Sequence, residues 1–332
     1  MSRRAYALGA LVLALVIFAA PTCASASNLS VTGYIEGGNP TSLVARFAPS
    51  LTYVGVDGLT LNNAGDHLLG TLDPQLDALR AASQGAHRLA DVLVSNWDNA
   101  INDFSPAIAG RLLSSPINEA RVARELADFV TSRHWNGATV DLESLSASDG
   151  PGLVTFLRDL RADLPARADL SVDVSATTSL AQYRALGYQL GGIAHYARVV
   201  LMAYDDHGPT WSGPGPIGPL AWQRASLVAL LQRVPASDVD LGVAGYGYTW
   251  PPGARRHDGV TLSVAGARRL VNLAHASAHF DAPSGEWTAR LPDGTVVWWS
   301  DSRSFGLRVT LASQFHLHGL AVWELSTIDS LS

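Results

Sequence analysis

Residues 136–143 read Asn-Gly-Ala-Thr-Val-Asp-Leu-Glu, a run of small and β-branched residues that ends in two carboxylates. A pleated strand turns successive side chains to opposite faces. Thr139, Asp141 and Glu143 therefore share one face, with the Asp141 and Glu143 Cα atoms roughly 7 Å apart. Such a strand suits a closed parallel barrel, where the outer face packs on helices and the C-terminal end of the inner face opens into a cleft. Seven further runs extend the pattern: Leu29–Gly37, Leu51–Asp57, Asp91–Trp97, Asp169–Ala176, Arg198–Tyr204, Val239–Tyr246 and Gly319–Leu325. Amphipathic helical windows lie between most of them. In Asn118–Trp135, for example, Val122, Leu126, Phe129 and Val130 fall on one face. Leu153–Leu164, Leu180–Tyr196, Trp222–Val234 and Phe305–His316 read the same way. Eight strands alternating with helices predict an α/β fold, a (β/α)8 TIM barrel. A doubly wound sheet is the alternative, but no glycine-rich dinucleotide turn follows the first strand.

Two stretches depart from that rhythm. Between about residues 249 and 301 the interval is too long for one helix. It holds a helical patch, Ser263–Ala278, and a hairpin pattern, Trp287–Leu291 and Val296–Trp299 around Pro292-Asp293-Gly294. A small α+β insertion between strands seven and eight is expected there. At the other end of the chain, MSRR precedes the apolar run 5–21, and Ala24-Ser25-Ala26 gives an A-x-A cleavage pattern. Residues 1–26 thus read as a signal peptide, with 27–332 as the exported barrel, extracellular or in the periplasm or cell wall. An uncleaved anchor is the alternative. No second run long enough for a membrane span follows.

Composition removes whole classes of chemistry. The chain has 332 residues and a net charge of −6, and all 23 of its basic residues are arginine. Without lysine there is no Schiff base, no PLP anchor and no P-loop lysine. The sole cysteine, Cys23, lies in the leader, which excludes thiol catalysis and cysteine-based zinc sites. No basic surplus draws nucleic acid. His275 and His279 stand four apart but lack a third ligand, so neither a metal nor a cofactor is expected. A monomer is expected.

The remaining candidates sit at strand ends. Asp141 and Glu143 repel each other in one crowded interior, so one should hold its proton near neutrality, as a general acid must. Otherwise the pair caps the next helix. Met202 and Tyr204 share the inward face of the sixth strand, and a tyrosine hydroxyl at the barrel mouth can donate to a carbonyl oxygen. Asp205 follows. Tyr34 and Tyr246 offer weaker versions of the same case. Trp97, Trp211, Trp250 and Trp323 all lie at or just after strand ends. Flat indoles in a cleft with few cations suit the apolar faces of sugar rings, although each alone suits a core equally well.

With these residues placed, the chain resembles glycoside hydrolase family 18, the chitinase-type barrels, over about residues 29–325. Residues 136–143 stand where that family has D-G-x-D-x-D-x-E, Met202-Ala203-Tyr204-Asp205 matches M-x-Y-D, and Trp323 matches its strand-eight tryptophan. Residues 204–219, 245–250 and 298–303 look closest to the bacterial spore-germination and cortex-lytic branch. Asn136 and Thr139 depart from the pattern, each replacing an aspartate. The resemblance implies hydrolysis of β-1,4-linked N-acetylglucosamine polysaccharide, chitin or the peptidoglycan glycan, with net retention. It implies Glu143 as acid and base, Asp141 orienting the substrate's acetamido N–H, Tyr204 holding its oxygen and Trp323 flooring the sugar site. Met202, Asp205, Tyr34, Trp97 and Trp250 are expected around the substrate. The first alternative is a non-catalytic glycan-binding barrel, against which retention of Glu143 speaks. The second is a two-carboxylate glycosidase using Glu36 or Asp205 as nucleophile. Of the inward carboxylates, the pattern places only Asp141 and Glu143 firmly.

Overall fold

The computed structural model describes residues 29–253 and 259–331. The expected signal peptide, 1–26, lies outside them. Eight parallel strands close on themselves: β1 (Ser30–Glu36), β2 (Tyr53–Leu61), β3 (Leu89–Ser95), β4 (Gly137–Asp141), β5 (Asp169–Ser175), β6 (Arg198–Met202), β7 (Val239–Ala244) and β8 (Gly319–Trp323). Each pairs with its neighbours in sequence, and β1 pairs with both β2 and β8. The predicted TIM barrel is the fold observed. Alternation holds as expected: Ala138 and Val140 of β4 join the outer core with the helices, while Thr139 and Asp141 face inward. A small inner cluster of Tyr34, Leu93, Val200 and Ala321 fills the barrel beneath the cleft.

Helices α1 (Pro74–Gly85), α2 (Pro116–Ser132), α3 (Gly150–Asp163), α4 (Leu220–Leu230) and α5 (Ser302–Gln314) pack outside. Their starts are fixed locally. Asp73, Ser115 and Asp301 each accept a backbone N–H from the first turn that follows, and Pro74 and Pro116 occupy N1 where no donor is needed. The predicted helix Leu180–Tyr196 is instead two short ones, Leu180–Ala185 and Leu190–Ile193. Gly187 breaks it, with φ +79° and its Cα so close to the Ser146 carbonyl that a Cβ would sit 2.6 Å from that oxygen.

The insertion leaves the barrel at Gly245, where the predicted seventh strand ends two residues early. Its strand Tyr246–Trp250 belongs to a separate antiparallel sheet of five, backed by the helix Val264–Leu273. The hairpin expected at Pro292–Gly294 is present, with Gly294 at φ +93°. Among the described residues no helix follows β8. Instead, Ile328 and Leu331 bury themselves in the main core and Asp329 pairs with Arg268 of the insertion. Beneath the barrel, half-buried Arg198 on β6 bonds Asp169 on β5 and Asp240 on β7, and His318 reaches Asp240 at 2.7 Å. No helix among the described residues is long and apolar enough to cross a membrane.

Candidate active site

The C-terminal ends of the strands surround a cleft of about 420 Å³. Asp141 ends β4 opposite Ser95 of β3, and both face it. Asp141 is 7% exposed, and its Oδ1 has no hydrogen-bond partner among the described residues. Glu143 follows on the loop, still on the cleft side. Its backbone is held from both directions by the buried Asn96, whose Oδ1 accepts from the Glu143 N–H at 2.9 Å and whose Nδ2 donates to the Glu143 carbonyl at 3.0 Å. That two-way clamp fixes the acid's backbone without constraining its carboxyl.

Burial is the first cause of every raised carboxyl here, because the barrel interior cannot solvate charge. Glu143 is pushed up to about 7, with Asp205 and Asp103 adding repulsion. Asp141 is held well above the carboxylate range by burial and then by Glu143, Asp173 and Asp57. Asp57 rises to about 7 through burial, Glu36 and Glu324. Asp205 rises to about 6, although the hydroxyls of Tyr246 (2.5 Å) and Tyr248 (2.9 Å) donate to its Oδ1 and moderate the shift. A carboxyl whose folded pKa exceeds its unfolded value binds more protons when folded, so its contribution to stability is lost as pH rises. The thermal midpoint should therefore fall between about pH 5 and pH 8, and fall less in Asp57→Asn. A midpoint that rises over that interval in scanning fluorimetry contradicts this charge arrangement.

The segment 203–219 after β6 carries Tyr204 and Asp205 and has no regular structure of its own. A buried pair from other elements pins it. Glu286 of the insertion accepts the N–H groups of Ile217 (2.7 Å) and Gly218 (2.8 Å), and Arg308 of α5 donates to the Gly218 carbonyl and to Glu286. Gln223 of α4 ties Ala203 at the other end. Trp323 lines the cleft above Tyr34, ring centroids 5.8 Å apart, and its peptide bond to Glu324 is cis. Trp97 also lines it, edge-on to Phe104 at 5.3 Å. Met202, Tyr204 and Asp205 complete the group that the sequence brought forward.

Two expected residues fall elsewhere. Trp250 is buried, donates to the Ser212 carbonyl, and borders a neighbouring depression with Trp211 and Arg290. The insertion strand carries it past the barrel mouth. Tyr34 lies under the floor, 2% exposed, with its hydroxyl donating to Asp173 at 3.3 Å. Conversely, Asp173, Asp57 and Phe104 line the cleft although the sequence reading did not place them there, and Glu36, expected only as an alternative nucleophile, lines it too. Asp173 had a signal: a carboxylate inside the apolar run Leu170–Val174, on the same face as Ser171.

The family model "Glycosyl hydrolases family 18" matches residues 58–327. A Bacillus subtilis protein named as a sporulation-specific glycosylase, YdhD, is 27% identical over 314 residues, covering 90% of this chain and 73% of that protein. Among solved structures, a chitinase from Chromobacterium violaceum superposes with a TM-score of 0.81 at 27% identity, covering 91% of this chain and 95% of that one. The spore cortex-lytic enzyme SleL of Bacillus cereus shares the fold with a TM-score of 0.81 at 18% identity, over 90% of this chain and 71% of that one.

Proposed function

The chain belongs to glycosyl hydrolases family 18 and is a glycoside hydrolase, and from that premise we propose that it cleaves β-1,4 bonds of an exported or cell-wall N-acetylglucosamine polysaccharide by a retaining, substrate-assisted route. One observation carries the reading. Glu143, its carboxyl pushed up to about 7 by burial, lines the cleft together with Asp141, whose Oδ1 has no hydrogen-bond partner among the described residues. Glu143 protonates the glycosidic oxygen and later takes a proton from water. The free Asp141 oxygen accepts the acetamido N–H and so turns the acetamido oxygen onto the anomeric carbon, which spares the protein from supplying the nucleophile. Tyr204 donates to that acetamido oxygen, and Trp323 and Met202 support the sugar ring. The relatives' names support both chitin and cortex glycan as substrates.

Six carboxylates line the cleft, Glu36, Asp57, Asp141, Glu143, Asp173 and Asp205, so scarcity of carboxylates does not exclude an enzymic nucleophile as the sequence pattern implied. Asp205 is the better second candidate by position. Two tyrosine hydroxyls on one of its oxygens, however, draw off the electron density that a nucleophile needs. Release of reducing ends from N-acetylated chito-oligosaccharides and from purified peptidoglycan tests the function. Release from at least one of them, abolished in Glu143→Gln, is expected. Binding of both with release from neither identifies a non-catalytic glycan-binding barrel instead.

A further inference from the structure

Beside the catalytic cleft lies a second depression, of about 720 Å³, that the mechanism above does not use. Its rim is stiff. Pro209 and Pro214 come from the segment after β6, Pro251 and Pro252 follow the insertion strand Tyr246–Trp250, and each ring fixes its own backbone φ. Trp211 is 43% exposed here, yet its indole is held in place. Its Nε1 donates to the Asp205 carbonyl at 3.0 Å, its ring meets Tyr248 edge-on at 6.0 Å, and a Cβ on Gly208 would stand 2.0 Å from its Cζ2. A ring fixed in this way offers apolar surface with little side-chain entropy left to lose. Asp205 itself lines the cleft, so the two hollows share a wall.

The hollows differ in charge. Six carboxylates line the cleft. Among the described residues that line the depression there is no carboxylate, and Arg290 is the only ionic side chain. Arg290 ends the insertion strand Glu286–Arg290 and is exposed. One of its N–H groups donates to the Gly294 carbonyl at 3.1 Å, and no carboxylate among the described residues pairs with it. Most of its five planar donors are therefore open to a ligand, in a fork whose shape matches a carboxylate. A neutral N-acetylglucosamine polymer brings no countercharge to such a group. An acidic substituent does, and the carboxylates of the cleft turn it away from the reacting centre and toward Arg290.

We propose that this depression is a subsite for an acidic sugar of the glycan, with Trp211 carrying the ring and Arg290 pairing with the carboxylate, and that it selects a carboxylate-bearing N-acetylglucosamine glycan, as in peptidoglycan, over neutral chitin. The subsite rests on the function proposed above for its place beside the cleavage point. The carboxylate belongs either to a lactyl ether on the sugar or to a peptide attached through that ether, and one guanidinium serves both.

Titration calorimetry in a Glu143→Gln background, with and without Arg290→Gln, reads the subsite without turnover. The ligands, equal in glycan length, are chito-oligosaccharides, peptidoglycan fragments stripped of peptide, which expose the lactyl acid, and fragments that keep the peptide, which mask it. The preference for acidic over neutral ligand should fall about tenfold in Arg290→Gln, the loss of one charge-assisted contact. The fragment class that shows the fall identifies the source of the carboxylate. Methyl esters of that class should lose the same factor on the Glu143→Gln parent and nothing more on the double variant, because both changes remove one interaction. A preference unchanged by Arg290→Gln for both classes, or acidic fragments that do not bind at all, overturns the subsite. Turnover of wild-type protein on the same ligands separates the two claims. Cleavage without an Arg290 effect on binding leaves the proposed function standing and the subsite refuted, whereas an Arg290-dependent preference in a protein that cleaves none of them sustains the subsite and refutes the function.

Discussion

Glu143→Gln is expected to lower kcat by at least about 10²-fold, the lower bound for losing a general acid, with KM close to that of the wild type. Glutamine keeps the shape and the polarity of the side chain but has no proton to give the leaving oxygen and no carboxylate to activate water. The backbone clamp from Asn96 to Glu143 does not involve the side chain, so the fold around the site should persist. Removing a carboxyl raised to about 7 also relieves repulsion among its neighbours. The variant should therefore be at least as stable as the parent near neutral pH. Steady-state kinetics on the best substrate, with the thermal midpoint measured alongside, checks both halves. Turnover within a fewfold of wild type in a folded variant removes Glu143 from the acid role.

The second large effect concerns stability. Glu286→Ala leaves Arg308 as a buried cation 1% exposed and strips the Ile217 and Gly218 N–H groups of their acceptor. Breaking a buried pair on one side costs about 3–5 kcal/mol. Urea denaturation should show that loss as a lower midpoint. Activity should fall further than stability requires, because this pair secures the segment carrying Tyr204 and Asp205 against both the insertion and α5. A change below about 1 kcal/mol, the range of an exposed pair, would show that water reaches the site and that other contacts hold the segment.

The barrel was legible in the sequence because its signals are local and repeated. Ala138 and Val140 against Thr139 and Asp141 declare the two faces of β4, and Pro74 and Pro116 announce helix starts. Most of the cleft residues were legible for the same reason, since Asp141, Glu143, Met202 and Tyr204 stand at strand ends with a readable period of two. What escaped depends on relations between distant segments. Asp173 becomes part of the cleft only through its place beside Asp141 across β4 and β5. Asp57 lies where β2 runs on to Leu61 through an irregularity between Asp57 and Leu59, so the expected strand end was set too early. Trp250 misled for the converse reason. Its strand looked like a continuation of β7, but at Gly245 the chain crosses into the second sheet, and the indole went with it.

The central claim is that the substrate's acetamido group supplies the nucleophile while Glu143 supplies the proton. Initial rates under one condition, on N-acetylated chito-oligosaccharides, their fully de-N-acetylated counterparts and cello-oligosaccharides of equal length, test it most directly. Only the N-acetylated series should be cleaved, even where the others bind Trp97 and Trp323. Comparable turnover of all three would contradict acetamido participation and make Asp205 or Glu36 the nucleophile to be trapped.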